Sequence, residues 1–475
     1  MSTVKTLAKN TTVLLAADVI SKVLSFFLIV FIARHLGDVG LGKYSFVFAF
    51  VGLFALFSDF GISTFLTREV AKDKTKTSLY FDNIITLKLI LTIVATILPL
   101  IVIWFIDKSV DVKMAVYIMA IAMFFLNYEE TFGALIRAYE KMEYISLMMV
   151  LEKIITAGLG IVFLAMGFKL VALVSAFLVA YFTTFVIYYI IITKKITKIR
   201  FRADFGLWKK ILKQSLPFWL TVLFIAIYFR IDIVMLTMMK GYQSVGWFSA
   251  SHKILDALYF IPGAIIMAVF PVMSRLHIEN KEQLSKLYKK AFYYLLSLGV
   301  PIGIGATLLA DRIILFVYKD AFINSVIALQ ILIWAEVFIF ISSVSGYLLN
   351  SIDKQKLFSY VTGICAVINV TLNLILIPKY DYIGASVATV ITEILVFAML
   401  FYFVSKNKYG FNLLKVMIKP AVAGIVMAVG VVYFKGMHLL ILVPFAMLVY
   451  FSCLFIIKGI DKEEIDLVKG LVKRE

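Results

Sequence analysis

The sequence predicts an all-α integral membrane protein with about 14 transmembrane helices, and three observations support this prediction. Of its 475 residues, 63% are hydrophobic and only 16% are charged, whereas soluble domains are about half apolar and a quarter charged. The apolar residues form repeated stretches of about 20 residues, the length that crosses a bilayer as a helix. These stretches lack the alternation of transmembrane β-strands, so helices are expected to satisfy the backbone hydrogen bonds.

Apolar windows between charge clusters place the predicted spans along the chain. The spans are 12–33, 44–66, 84–106, 114–136, 147–168, 170–193, 215–239, 247–273, 290–310, 326–350, 358–378, 383–404, 416–434 and 438–457. The longest loop, 194–214, follows the sixth span and predicts a linker between two halves.

Lysine and arginine are distributed unequally between the predicted loops. The N-terminus, the even-numbered loops and the C-terminal tail hold roughly three times as many of these residues as the odd-numbered loops, and such a bias marks the cytoplasmic side. We therefore expect a multi-pass plasma-membrane protein with both termini in the cytoplasm. The net charge of +18 follows from the same bias and from attraction to anionic lipid head groups, so nucleic acid is not an expected partner.

Two internal matches indicate that the first twelve spans arose by duplication. The first match pairs Gly37 with Gly241 and Gly42 with Gly246. Because each half contains six spans, both halves enter the membrane from the same side and form parallel repeats, an arrangement typical of transporters with a substrate path between the halves. The matched segments are 34–45 with 238–249 and 132–141 with 345–354.

The repeats divide the chain into three predicted parts. Residues 1–200 and 201–410 form two six-helix bundles around a central cavity. Residues 411–475 supply two additional transmembrane helices and a cytoplasmic tail. The charged end of this tail, 461–475, is expected to lie on the inner membrane surface as an amphipathic stretch.

Three segments resemble the multidrug/oligosaccharidyl-lipid/polysaccharide flippase superfamily, most closely its polysaccharide-export branch. Their order and placement in the two-half layout extend the resemblance over essentially the whole chain. The segments are Ala33-Arg-His-Leu-Gly with Gly42-Lys-Tyr-Ser, Phe229-Arg-Ile-Asp with Val245-Gly-Trp-Phe-Ser-Ala-Ser-His-Lys, and Phe270-Pro-Val-Met-Ser.

The resemblance implies a flippase that moves a polyprenyl-(pyro)phosphate-linked oligosaccharide from the cytoplasmic to the outer leaflet by alternating access. Coupling to H⁺ or Na⁺ and contact with polysaccharide-assembly proteins are further implications. A phosphate-binding loop of the type that binds ATP is not found in the sequence. We expect no ATP-binding machinery, no cofactor and no enzyme activity. The two cysteines, Cys365 and Cys453, lie inside apolar spans and predict neither a disulfide nor a metal site.

Basic residues inside spans are candidates for binding the substrate phosphates, because an ionisable group in the bilayer is costly and therefore marks function. The resemblance implies that Arg230, Lys253 and Lys22 face the cavity. For Lys22 and Lys253, an alternative interpretation is pairing with a carboxylate on the same helix face. Lys88 is expected to extend its side chain to the cytoplasmic interface instead.

Acidic residues inside spans are candidates for ion coupling. Glu336 and Glu393 have no basic partner on their own helices, so they are the stronger candidates for carrying a proton. For both, hydrogen bonding between helices is the alternative. The full set of coupling candidates is Glu336, Glu393, Asp59, Asp256 and Asp232.

Three other functions compete with the glycan flippase. An ion-coupled multidrug exporter would have 12 spans and an acidic cavity, whereas this sequence predicts 14 spans and basic candidates. A lipid II-type peptidoglycan precursor flippase would have more arginines in the cavity than Arg230 alone. A polytopic enzyme such as a glycosyltransferase would need a larger loop or domain than any in the sequence.

Overall fold

The computed structural model describes residues 3–459, except for the side chains of residues 3–12, 15, 217, 218, 221 and 229. The predicted amphipathic tail therefore lies outside the described residues. The described chain is helical and contains no β-strand, which confirms the all-α class. Its α-helices are α1 Thr3–Ala55, α2 Ile62–Lys72, α3 Thr77–Phe105, α4 Val110–Ala138, α5 Met142–Ala165, α6 Leu170–Lys195, α7 Phe205–Met239, α8 Tyr242–Leu258, α9 Phe260–Glu279, α10 Lys281–Tyr318, α11 Ser325–Ser351, α12 Gln355–Lys406, α13 Leu413–Tyr433 and α14 Leu439–Ile456.

Many of these helices are long and apolar enough to cross a membrane. Among the described residues there are 11 such segments, or 12 if a bent pair within α7 forms one span. Two segments, of 43 and 52 residues, far exceed a single crossing of about 20 residues. Each contains one residue with a non-helical backbone, Gly37 and Asp381 respectively. Both residues lie between predicted spans, so the total of 14 requires each segment to cross twice and stays a prediction.

The predicted second span, 44–66, is wrong at its C-terminal end. α1 ends at Ala55 and is followed by a short 3₁₀ turn. Gly61 then adopts a left-handed conformation with φ 74°, which glycine reaches without strain, and α2 begins at Ile62. Asp59 therefore lies in a break between two helices, where its carboxylate accepts hydrogen bonds from the backbone and side chain of Ser63.

The chain divides into two compact units, Met1–Lys253 with Asn373–Asp381, and Ile254–Leu372 with Tyr382–Glu475. We call them unit 1 and unit 2. All three division points fall within helices, so the units do not follow the sequence repeat. The predicted bundle boundaries at residues 200 and 410 stay predictions.

Each unit has an apolar core. In unit 1, aromatic side chains of α2, α3 and α4 pack together, with Phe65, Phe81 and Phe132 almost fully buried. In unit 2, the two last helices bury an apolar stripe that includes Met427 and Tyr450 beside α10. The additional helices are thus an integral part of unit 2.

Candidate functional site

The duplicated segments of unit 1 cross each other at their matched glycines. A Cβ atom on Gly42 would overlap the carbonyl oxygen of Tyr242, and a Cβ atom on Gly246 would overlap the carbonyl oxygen of Asp38. Asp38 and Tyr242 occupy equivalent positions of the repeat, so the contact is reciprocal. Backbone atoms cannot move aside as a flexible side chain can, and small residues are what allow helix backbones to approach this closely. We call this contact the glycine crossing.

Polar contacts surround the glycine crossing. Gln243 Nε2 donates to Asp38 Oδ2 at 2.9 Å, and Lys240 Nζ donates to the carbonyl oxygen of Pro378 at 2.8 Å. Lys108 lies in the loop between α3 and α4, with its Nζ 5.1 Å from the centre of the Tyr242 ring. Burial lowers the pKa of Lys108. These loops all belong to the predicted outer side, where the crossing joins the two halves of the repeat.

Arg230 on α7 is an exposed cation held against α1. A Cβ atom on Gly52 would overlap Nη1 of Arg230, so the guanidinium occupies the space that only a glycine leaves open. The predicted phosphate-binding arginine is thus accessible and held against another helix of unit 1.

The other two basic candidates have different surroundings. Lys22 forms an ion pair with Asp18, with Nζ and Oδ2 2.8 Å apart and the two side chains 40% and 41% exposed. This geometry matches the alternative interpretation, in which the charges neutralise each other on one helix face. Lys253 is half-buried on α8. The assignment of both lysines to substrate binding stays a prediction.

Lys88 and Asp59 form a buried ion pair that the sequence analysis did not predict. Lys88 is completely buried, and its Nζ donates to Asp59 Oδ1 at 2.7 Å and to the carbonyl oxygen of Asn127 at 3.1 Å. The expectation that Lys88 reaches the interface is therefore wrong, because the helix break beside Asp59 supplies a partner inside unit 1. Glu130 lies close enough to interact with both charges.

A second group of polar residues lies within α4, α5 and α6. Glu152 and Lys153 are adjacent on α5 and form a 2.7 Å ion pair. Glu129 is buried and accepts a 2.6 Å hydrogen bond from Thr184, and it interacts electrostatically with the α5 pair. The sequence analysis did not include Glu152 and Lys153 among its candidates, although both fall inside the span predicted at 147–168.

Three coupling candidates come together in unit 2. Glu336 on α11 and Glu393 on α12 are each only 3% exposed, and Asp256 on α8 is exposed. Glu336 interacts electrostatically with both other carboxyl groups. Its Oε1 atom has no hydrogen-bond partner within the part of the chain that the structure describes. The residues come from helices that are distant in sequence.

Asp232 is separate from this carboxyl group and belongs to unit 1. It is 5% exposed, and its Oδ1 accepts a 2.6 Å hydrogen bond from Asn373 Nδ2. The two residues join α7 to α12. Among residues 3–459, no cluster of three or more His, Cys, Asp or Glu side chains has the geometry of a metal site.

Comparison with known protein families decides the classification. Residues 7–277 match the family described as polysaccharide biosynthesis protein, and residues 217–375 match the MatE family. The chain belongs to the polysaccharide biosynthesis protein family. Both matches lie within the multidrug/oligosaccharidyl-lipid/polysaccharide flippase superfamily, so the resemblance seen in the sequence is confirmed.

Three relatives show how this family member compares with named proteins. A membrane protein of Methanocaldococcus jannaschii is 26% identical over 256 residues, which are 51% of this chain and 50% of that protein. A Haloferax volcanii protein whose name describes a low-salt glycan biosynthesis flippase is 22% identical, over 81% of each chain. A Shigella flexneri protein whose name assigns it to O-antigen transport is 23% identical, over 77% of this chain and 90% of that protein.

These relatives also bear on the general class of the protein. The match to the first of them spans half of that protein's length. The names of the other two describe transport across a membrane and not an enzyme reaction. This family member is accordingly a multi-pass membrane protein of the multidrug/oligosaccharidyl-lipid/polysaccharide flippase superfamily.

Solved structures show the same fold. A lipid II flippase in an inward closed conformation superposes with a TM-score of 0.79 at 18% identity, covering 93% of this chain and 98% of that chain. An inward-facing multidrug transporter of the same superfamily gives a TM-score of 0.63 at 20% identity, covering 82% and 95%. At these identities the likeness shows the fold alone.

Proposed function

We propose that this protein is a flippase for a polyprenyl-(pyro)phosphate-linked oligosaccharide. It moves the lipid from the cytoplasmic to the outer leaflet of the plasma membrane by alternating access, for export of a cell-surface polysaccharide or glycan. Both termini lie in the cytoplasm, and polysaccharide-assembly proteins are the expected partners. The family match and the names of the Haloferax and Shigella relatives support this substrate class.

The exposed guanidinium of Arg230 carries the proposal. A (pyro)phosphate is the one strongly anionic group of such a substrate, and arginine binds phosphate through two parallel hydrogen bonds. The polyprenyl chain of the substrate is apolar, which suits a helical membrane protein of this composition. Lys253 and Lys22 are the further candidates for contacting the phosphates.

The carboxyl groups of unit 2 support coupling to H⁺ or Na⁺. A carboxylate that is buried without a hydrogen-bond partner is unfavourable, and Glu336 has such an oxygen within the described residues. A proton bound to Glu336 would relieve this cost, and the nearby negative charges of Glu393 and Asp256 would favour its binding. Asp232 and Asp59 are weaker candidates because Asn373 and Lys88 already bind them. Substrate exchange by Glu336→Gln is expected to be independent of an imposed ion gradient, and an unchanged gradient response would contradict this assignment.

Leaflet exchange in liposomes tests the proposed function. The full chain is reconstituted and the movement of a fluorescent polyprenyl-diphosphate oligosaccharide is followed. Wild type is expected to exchange the lipid, and Arg230→Ala to lower the rate by about tenfold or more, since a charged hydrogen bond to phosphate is lost. Arg275→Ala is the matched control, because Arg275 is 65% exposed and pairs with Glu279 on its own helix. Absence of exchange by wild type, with a gradient imposed in either direction, would refute the proposal.

A small-molecule exporter is the second candidate. The match of residues 217–375 to the MatE family and the carboxyl groups of unit 2 favour it, since acidic residues attract cationic compounds. The same liposomes, loaded with a fluorescent cationic dye, distinguish the two functions. Lipid II serves as a third probe in this assay, because the lipid II flippase shares the fold.

A further inference from the structure

The loop between α6 and α7, residues 196–204, is fixed to α3 through its backbone. We call this loop the strap. In an extended chain, the amide groups of every second residue point the same way. Three such amides of the strap donate hydrogen bonds to side chains on one face of α3. The amides of Arg200, Arg202 and Asp204 donate to Asp82 Oδ1, Thr86 Oγ1 and Asn83 Oδ1 at 3.3, 3.0 and 2.9 Å respectively. The strap therefore has a defined orientation.

The depth of the strap follows from its partners on α3. Asp82 and Thr86 bracket residue 84, where the third span is predicted to begin, and α6 ends at Lys195, close to the predicted end of the sixth span. Both helices are predicted to enter the bilayer at these points. The strap thus lies at the level of the lipid head groups, on the side that the positive-inside bias assigns to the cytoplasm.

The outer face of the strap, together with the adjoining ends of α6 and α7, carries exposed aromatic and basic side chains. Phe201 is 68% exposed and Phe205 is 75% exposed, although both rings are strongly apolar. Six exposed basic residues flank them, and none of the six forms an ion pair within residues 3–459. They are Lys194, Lys198, Arg200, Lys209, Lys210 and Lys213.

We propose that this face binds the head groups of anionic phospholipids. Clusters of four to eight lysines and arginines beside a transmembrane helix are attracted to an anionic leaflet, and aromatic rings at the same depth enter the interfacial region. A soluble partner with an acidic surface would neutralise the charges, but it would leave no reason for two phenylalanine rings at head-group depth. The backbone contacts with α3 fix the conformation of the strap, so binding requires little further ordering of it.

Quenching of a tryptophan by brominated lipids tests this proposal. The full chain carrying Phe201→Trp is reconstituted in nanodiscs that contain either brominated phosphatidylglycerol or brominated phosphatidylcholine in a non-brominated background. Wild-type protein, which has five tryptophans, supplies the background signal. We expect quenching by both lipids and about threefold stronger quenching by phosphatidylglycerol, because the charges concentrate the anionic lipid around the strap.

Charge-removal variants identify the residues responsible. Lys198→Gln/Arg200→Gln, in the Phe201→Trp background, is expected to abolish the preference for phosphatidylglycerol while quenching by phosphatidylcholine persists. Lys169→Gln/Lys319→Gln is the matched control, since it removes two exposed lysines from predicted outer loops and is expected to retain the preference. In Phe201→Trp protein without charge substitutions, high salt is expected to reduce the preference for phosphatidylglycerol. This measurement does not depend on whether a charge variant folds.

Three results would overturn the proposal. Equal quenching by the two lipids would show that the head-group charge is not recognised. A tryptophan at position 201 that neither lipid quenches would place this face in water, as expected for the binding site of a soluble partner. Loss of the preference in the outer-loop control would mean that the net charge of the protein, and not the strap, selects the lipid.

Discussion

Arg230 and Gly52 illustrate how a single residue determines where a charge lies. The arginine side chain is long and flexible, and alone it would sample many conformations. The missing side chain at Gly52 provides a space on α1 that Nη1 of Arg230 occupies. A cation that is fixed before the substrate arrives loses less conformational entropy on binding.

The first prediction tests this placement. Gly52→Ala is expected to lower lipid exchange by about tenfold or more, because the added methyl group displaces the guanidinium and a displacement of about 1 Å is enough for such a loss. Gly158→Ala is the control, since no heavy atom lies within 4 Å of a Cβ at that position. Leaflet exchange in liposomes is the measurement.

A double substitution distinguishes displacement of the arginine from general damage. In the Arg230→Ala background, Gly52→Ala is expected to cause no further loss, because substitutions that act through one contact are not additive. An additional loss in this background would show that Gly52 acts independently of Arg230.

The buried pair of Lys88 and Asp59 leads to a prediction about stability. Lys88→Met leaves the Asp59 carboxylate without its cation. Breaking a fully buried pair from one side costs about 3–5 kcal/mol, and we expect a loss at the lower end of this range because Asp59 is 22% exposed. Lys22→Met is the control, because Lys22 and Asp18 are both substantially exposed and such pairs contribute about 1 kcal/mol at most. The measurement is thermal unfolding of the purified protein in detergent.

Removal of both charges supplies the reverse test. Lys88→Met/Asp59→Asn is expected to unfold at a higher temperature than Lys88→Met alone, because the uncompensated charge is gone. Similar unfolding temperatures for Lys88→Met and Lys22→Met would argue that the pair contributes little.

At the scale of elements, α3 holds the strap through a short row of polar side chains. Asp82 is completely buried, accepts a hydrogen bond from the Arg200 amide and lies 3.7 Å from Nε of Arg202. The strap thus compensates the negative charge of Asp82 inside unit 1. In return, side chains of α3 accept hydrogen bonds from the backbone of the strap, which has no secondary structure. Loop backbone groups left without partners are unfavourable.

Release of the strap can be measured by proteolysis. Asp82→Ala is expected to accelerate tryptic cleavage after Lys198, Arg200 and Arg202 by about tenfold, since one hydrogen bond and one ion pair are lost and local opening becomes easier. Asp73→Ala is the control, because the Asp73 side chain is 36% exposed and pairs with Lys76 just before the start of the same helix. Equal cleavage rates for the two variants would contradict a role for Asp82 in holding the strap.

At the scale of the whole molecule, the repeat explains the reciprocal glycine crossing. Gly37 and Gly241 both have positive φ angles, 68° and 91°, and the paired glycines Gly42 and Gly246 each contact the backbone of the opposite segment. Segments of two parallel repeats, as predicted from the sequence, would meet in this way at the axis that relates them. The proposed alternating access would require this contact to open and close.

Crosslinking of the glycine crossing tests this requirement. Asp38→Cys/Gln243→Cys, with Cys365 and Cys453 replaced by serine, places two thiols where a 2.9 Å hydrogen bond lies. A short reducible bis-thiol reagent is expected to lower lipid exchange to background, and reduction to restore it. Single-cysteine variants control for modification. Full exchange by the crosslinked protein would show that these segments need not separate.

The sequence alone determined the class of the protein and most of its spans, and it predicted the duplication. Hydropathy is a local property, because a stretch of about 20 apolar residues must cross the bilayer whatever its neighbours are. The glycines at equivalent positions of the repeat were visible for the same reason, since backbone geometry at Gly37 and Gly241 is a local requirement.

Only the tertiary structure decided which charges meet. Lys88 was expected at the interface, yet it binds Asp59 across a helix break, and Arg230 lies on Gly52 of a distant helix. Glu336, Glu393 and Asp256 come together from three helices. Helical spacing relates residues only three or four positions apart, whereas packing between helices sets contacts over the whole chain. The sequence therefore predicted which charged residues are candidates for function, and the packing of the helices determines which residues they contact.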